Sequence, residues 1–193
     1  QMESLIKNGD KKKIREFFRV LGELRYLIPL MRYEFPSPDD NASLAHSFEE
    51  TVTKFGSNNF IYFENEKWTY NQTNEAANIL ANKLVDDGVE HGDRVVLFME
   101  NRPNYIISIL ALNKIGAIGV LINTSLTGNP LIHCINSSDS KKCIVGAELA
   151  SPLEEVLSEI NIKDKSDIYW VKDGTNYECP QWASNLDTLI DTS

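Results

Sequence analysis

No apolar run in this 193-residue chain approaches the ~20 residues that a membrane-spanning helix requires. The amino-terminal stretch also lacks the apolar core of a secretory signal, because Arg15, Glu16, Arg19 and Glu23 interrupt it. Basic residues are in deficit: 19 Lys and Arg stand against 28 Asp and Glu, giving a net charge of −9. Nucleic-acid binding normally leaves a basic stripe, so nucleic acid is excluded as the main partner. The 3 cysteines, Cys134, Cys143 and Cys179, include no Cys-x-x-Cys pair. An odd, scattered set fits a reducing compartment and a packing role. His46, His91 and His133 are dispersed, and no metal site with close ligand spacing is read from them. Asn41, Asn71, Asn123 and Asn136 each begin an Asn-x-Ser/Thr triplet; without a secretory signal these are chance matches.

Self-contained catalytic motifs are missing too. There is no Gly-x-x-x-x-Gly-Lys-Ser/Thr loop, no Gly-x-Gly-x-x-Gly fingerprint and no Gly-x-Ser-x-Gly elbow. Gly116 and Gly119 bracket a strand start, where helix closure and close packing explain them. His133 and Cys134 are neighbours on a helical pattern, so their side chains point apart and make a poor base–nucleophile pair. Asp86-Asp87 and Glu154-Glu155 read as solvated helix faces. No catalytic residue and no metal ligand is expected among these residues.

What the chain does have falls into three stretches. Residues 1–35 hold eight Lys/Arg and five Asp/Glu, so they carry +3 and the remainder −12. Asp10 caps an expected amphipathic helix to about Ile28, ended by Pro29, with Ile14, Phe17, Phe18, Leu21, Leu24 and Ile28 on one face. Lys11, Lys12 and Lys13 with Phe17, Phe18 and Leu21 are candidate contacts to an anionic membrane surface. The alternative, which the interleaved acidic residues favour, is a helix docked on its own domain. Residues 36–43, rich in Pro, Asp and Asn, read as a linker.

Residues 44–193 read as an α/β domain with a doubly wound, mostly parallel sheet. A first helix is capped at Ser43, buries Leu44, Phe48, Val52 and Phe55, and stops at Gly56. A hairpin follows, Asn59 to Glu64 and Lys67 to Tyr70, turning at Asn65-Glu66. Asn71 caps a helix that buries Ala76, Ile79, Leu80, Leu84 and Val85 and ends at Gly88. Apolar strands are expected at Arg94–Met99, Ile118–Ile122, Lys142–Val145 and Asp167–Val171. Helices run between them from Pro103, from Asn129-Pro130, and from a Ser151-to-Glu154 capping box as far as Ile160. A last helical segment spans about Leu186 to Ile190.

Ligands of an open parallel sheet gather beyond the carboxyl ends of its strands. The loops Glu100-Asn101-Arg102, Asn123-Thr124-Ser125 and Gly146-Ala147-Glu148 occupy that edge. The first two are polar and suit an anion or a carboxylate, which makes Asn101, Arg102, Asn123, Thr124 and Ser125 candidate substrate contacts. The alternative is that Asn101 and Asn123 only satisfy backbone groups at the strand-to-helix junctions.

Phe98-Met-Glu-Asn-Arg-Pro-Asn-Tyr105 and Leu112 to Leu126 resemble the fatty acid transport protein and very-long-chain acyl-CoA synthetase family, part of the adenylate-forming superfamily. Trp68-Thr69-Tyr70, Asn129 to Cys134 and Ile144 to Glu148 match in type and order. The resemblance implies the N-terminal portion of a fatty acid–CoA ligase serving fatty acid uptake and lipid metabolism. ATP, Mg2+ and CoA would serve the intact enzyme, and none is expected bound to this portion. Its partners would be a long-chain fatty acid, ATP and CoA, with a homodimer as an assembly to test. The location implied is cytoplasmic, peripheral on the cytosolic face of a membrane. The family's Lys-containing phosphate loop, Tyr/Thr/Glu motif, hinge Asp and C-terminal lysine would follow Ser193, so these residues alone are expected to be inactive. The alternative expectation is a non-catalytic membrane-docking or interaction module of the same descent.

Overall fold

The computed structural model describes residues 43–162, 164–172 and 177–186, together with the helical residues Arg15, Glu16, Arg19, Gly22 and Glu23. The chain divides into two units between Asn41 and Ala42. In the first, Arg15, Glu16, Arg19 and Glu23 are exposed, and Arg19 pairs with Glu23 one helical turn on at 3.7 Å. The expected membrane contacts Lys11, Lys12, Lys13, Phe17, Phe18 and Leu21 lie outside the described residues.

The second unit begins with α1 (Leu44–Phe55), whose cap Ser43 accepts a hydrogen bond from the His46 amide at 3.0 Å. Phe48 is its buried anchor, 5.0 Å from Phe60 and 5.7 Å from Tyr70 between ring centroids. Leu44 and Phe55, expected inside, are both about half exposed, at 55% and 51%. A helix packed on one narrow line buries its central turn and leaves its ends open. The hairpin pairs β1 (Asn59–Phe63) with β2 (Glu66–Thr69), and Phe63 faces Glu66. Its turn is therefore Glu64-Asn65 rather than Asn65-Glu66, with Glu64 in the left-handed region at φ 51°.

α2 (Tyr70–Asp86) is capped by Thr69, not Asn71. The Thr69 hydroxyl accepts from the Gln72 amide, and the Gln72 side chain accepts from the Thr69 amide, so the box satisfies two free donors at once. Thr73, Ala76, Ala77, Leu80, Ala81 and Leu84 face inward. Val85 is 52% exposed, one position off that stripe. The inward alanines allow α2 to lie close against α3 (Pro103–Lys114), the helix after β3. Proline at the first position starts α3 where its missing N–H costs nothing. At its far end Gly116 takes φ 68°, and a side chain there would overlap the His91 ring.

The sheet has 5 strands in the order β4-β3-β5-β6-β7, and every pairing in it is parallel. These strands are β3 (Arg94–Phe98), β4 (Ile118–Leu121), β5 (Lys142–Gly146), β6 (Ile168–Val171) and β7 (Ser184–Asn185). Alternate side chains build two cores. Val95, Leu97, Ile144, Tyr169 and Val171 pack with α2 and α3 on one face. Val96, Phe98, Cys143, Val145, Ile168 and Trp170 pack on the other with Leu131 and Ile135 of α4 (Gly128–Ser137) and with Leu153, Val156 and Ile160. Each fully buried Val, Leu or Phe contributes roughly 1.5–3 kcal/mol, so the double-sided covering carries most of the stability.

Two elements differ from the sequence reading. The chain leaves β5 already turning in a short 3-10 stretch, so α5 (Ala150–Glu154) begins before Ser151 and has no side-chain cap. Beyond Glu154 several bonds shorten to i→i+3, as in Val156 to Leu153 and Leu157 to Glu154, and the regular helix does not reach Ile160. At the other end, Ser184–Asn185 joins the sheet beside Tyr169 and Trp170. Leu186 donates its amide to the Trp170 carbonyl, so it follows a strand instead of opening a helix. Residues 187–190 of the expected segment lie outside the described residues.

A charged cluster locks the amino-terminal edge of the sheet. Asp87, expected on a solvated face, accepts hydrogen bonds from Lys83 and from the Tyr169 hydroxyl. Lys142, itself buried, pairs with Asp167 at 2.7 Å. Burial alone raises the Asp87 carboxyl, but the bonds from Lys83 and Tyr169 and the charges of Lys83 and Lys142 outweigh it, so its pKa sits below the ordinary 3.8. A depressed carboxylate stabilises the fold above its unfolded pKa, and that contribution disappears as pH falls through the folded value. Asp87→Asn should cost about 1–3 kcal/mol at neutral pH. In urea titrations the gap to the unmodified chain should close as pH falls through and below the ordinary carboxylate range. A gap of the same size at neutral and acid pH would show that the ionised carboxylate is not what matters.

Candidate functional site

β3 connects to β4 on one side of itself, and β4 then returns across to β5 on the other. The divergence between β3 and β5 is the switch point of a doubly wound sheet, where ligands characteristically bind. Pairing of Phe98 with Val145 brings the loop after β3, Met99 to Arg102, beside the loop after β5, Gly146 to Glu148. Pairing of Leu97 with Leu121 brings the first loop beside Ile122 to Ser125.

Between the β3 and β4 ends lies a groove of about 380 Å³. Met99, Glu100, Asn101, Tyr105, Ile122, Asn123 and Thr124 line it. It thus unites Asn101, Asn123 and Thr124 of the expected contacts. Ser125 does not line it; its amide donates to Asn123 Oδ1 at 2.9 Å, closing a short side-chain turn. Asn123 therefore does serve the backbone, and its NH2 remains as a donor. Arg102 does not line the groove either. Its guanidinium reaches Glu148, Nη2 to Oε2 at 2.9 Å, and only 11% of its side chain is exposed.

Glu148 is a site residue that the sequence pattern does not single out. Its Oε1 accepts the Glu100 amide at 2.7 Å, while Oε2 faces Arg102. The carboxylate lies over Gly146, where any added Cβ would overlap it. The available signal is an acidic residue in one edge loop and an arginine in another, but their meeting depends on β3 and β5 being neighbours.

None of the groove's lining residues is Lys or Arg, so it presents amides, hydroxyls, apolar walls and the Glu100 carboxylate rather than cations. That set does not fit a triphosphate. Among the described residues no group of three or more His, Cys, Asp and Glu could hold a metal ion. His133 is exposed beside the Ser137 hydroxyl, and Cys134 is half-buried against the core. Cys143 is fully enclosed, and burial pushes its thiol up to about 12, which makes it unreactive.

Comparison with known proteins decides the family. The profile of the AMP-binding enzymes matches residues 48–188. The chain belongs to the AMP-binding enzyme family. Among curated relatives, the chain is 27% identical to mouse long-chain fatty acid transport protein 6, over 75% of its own length and 23% of the relative's. It is 31% identical to a medium/long-chain-fatty-acid–CoA ligase of Mycobacterium tuberculosis, over 61% and 20%. A solved long-chain-fatty-acid–CoA ligase from Archaeoglobus fulgidus shares the fold with a TM-score of 0.63 and 22% identity, over 83% of this chain and 32% of that one. The chain thus spans about a quarter of the length of the curated relatives it matches. Among the described residues no helix is long and apolar enough to cross a membrane.

Proposed function

We propose that this chain forms the N-terminal part of an ATP-dependent long-chain fatty acid–CoA ligase, and that its groove holds the carboxylate end of the fatty acid. The observation that carries this reading is the placement of the groove. It sits at the carboxyl edge of the sheet within the AMP-binding match, and its amides suit an oxygen-rich, singly charged group. In the intact enzyme the fatty acid carboxylate attacks the α-phosphate of ATP, releasing pyrophosphate and leaving an acyl-adenylate. The CoA thiolate then attacks the acyl carbon and AMP departs. Mg2+ would neutralise phosphate charge, held by groups other than these.

The roles left to these residues follow from their chemistry. The Asn101 and Asn123 amides and the Thr124 hydroxyl donate to a carboxylate, and Met99, Ile122 and Tyr105 give the start of the chain an apolar wall. With no phosphate loop in its sequence and no cation in the groove, the 193-residue chain should form no acyl-AMP from ATP and palmitate. A pyrophosphate-exchange assay on the purified chain reads this directly. Exchange above the no-enzyme rate would mean that the chain carries its own catalytic groups.

The basic lead supports peripheral attachment to the cytosolic face of a membrane, with Lys11, Lys12, Lys13, Phe17, Phe18 and Leu21 as contacts. The whole chain should sediment with anionic vesicles and a form lacking residues 1–35 should not. Equal sedimentation of both would remove the lead as the anchor.

A further inference from the structure

The structure joins the two loops at the switch point through one side chain. Glu148 takes the Glu100 amide on one oxygen and the Arg102 guanidinium on the other, from a perch over Gly146. The Arg102–Glu148 ion pair is largely enclosed, with 11% and 17% of the two side chains exposed, while the bond to the Glu100 amide lies nearer the surface. The residue between its two partners is Asn101, which lines the groove.

We propose that Glu148 is the positioning residue of this groove. By gripping the loop on both sides of Asn101 it fixes where that amide stands, without touching the ligand itself. The start of α3 adds no side-chain restraint of its own: Arg102 caps α3 with no side-chain hydrogen bond, and Pro103 contributes no N–H. Arg102 acts as the second half of the clamp and not as an anion receptor. The groove is accordingly tuned to a neutral-donor grip on a carboxylate, which rests on the function proposed above.

Gly146 supplies a perturbation that leaves both charges in place. Its φ of −73° suits alanine, so Gly146→Ala adds only a methyl that displaces the Glu148 carboxylate. The test uses the full chain labelled with 15N, as wild type, G146A, E148A and the double variant. G146A and E148A should move the same resonances: the Glu100 backbone amide, the Asn101 side-chain NH2 and the Arg102 Nε–H. The double variant should add nothing to E148A, because the methyl then meets no carboxylate. Palmitate affinity, read from shifts at Thr124, should fall roughly tenfold in both single variants, the worth of one charge-assisted bond. Unmoved Glu100 and Asn101 resonances in G146A and E148A, or additive effects in the double variant, would overturn the proposal. If the resonances move together but palmitate leaves Thr124 unshifted in the wild type, the clamp stands and the carboxylate reading of the groove fails. Should E148A prove unfolded, G146A alone decides the matter through the same resonances.

Discussion

The parallel pairing of β3 with β5 is the constraint on which the rest of this domain depends. It sets Val95 to Phe98 against Lys142 to Val145 in the middle of the sheet, with side chains alternating into two cores. Because both faces are covered, neither strand can slip by one residue without exchanging its whole apolar set. The same register delivers the loops after β3 and β5 to a common point. From that meeting come the Arg102–Glu148 pair and, on the β4 side, the groove.

Charge is distributed along this sheet in a way that bears on function. At the amino-terminal edge Lys83 and Lys142 balance Asp87 and Asp167, and the Tyr169 hydroxyl bonded to Asp87 ties α2 to β6. At the carboxyl-terminal edge Glu148 holds the guanidinium, and the groove is left with amides, hydroxyls and the Glu100 carboxylate. The division explains how a domain of this family can have a formed groove without a nucleophile, a metal set or a free cation lining it.

Much of the architecture was legible in the sequence because buried parallel strands are apolar throughout: Val95 to Phe98 and Cys143 to Val145 could be little else. Proline at 103 and glycine at 116 marked the bounds of α3 for reasons of backbone geometry. Errors fell where two residues offered the same chemistry. Thr69 and Asn71 can both cap a helix, and only Thr69 has a glutamine three positions on. Leu44, Phe55 and Val85 are apolar near the helical stripe, and their exposure is set by how far the neighbouring elements extend. Ser184–Asn185 is too short and polar to announce a strand; it exists because β6 offers an open edge. Of the site, Asn101, Asn123 and Thr124 were visible as polar residues at strand ends. The commitment of Arg102 to Glu148 was not, since it joins residues far apart in sequence through strand order.

If the groove between the β3 and β4 ends receives the carboxylate end of a fatty acid, a reactive group placed beside that carboxylate must label the groove's walls. Photo-crosslinking tests this most directly, using the full chain and a palmitate analogue that carries a diazirine beside the carboxyl group. The expected result is adducts confined to Met99–Asn101, Tyr105 and Ile122–Thr124, competed away by unlabelled palmitate. Adducts concentrated instead on the depression formed by His46, Asn78, Asn82 and Lys114, or spread without competition, would contradict it.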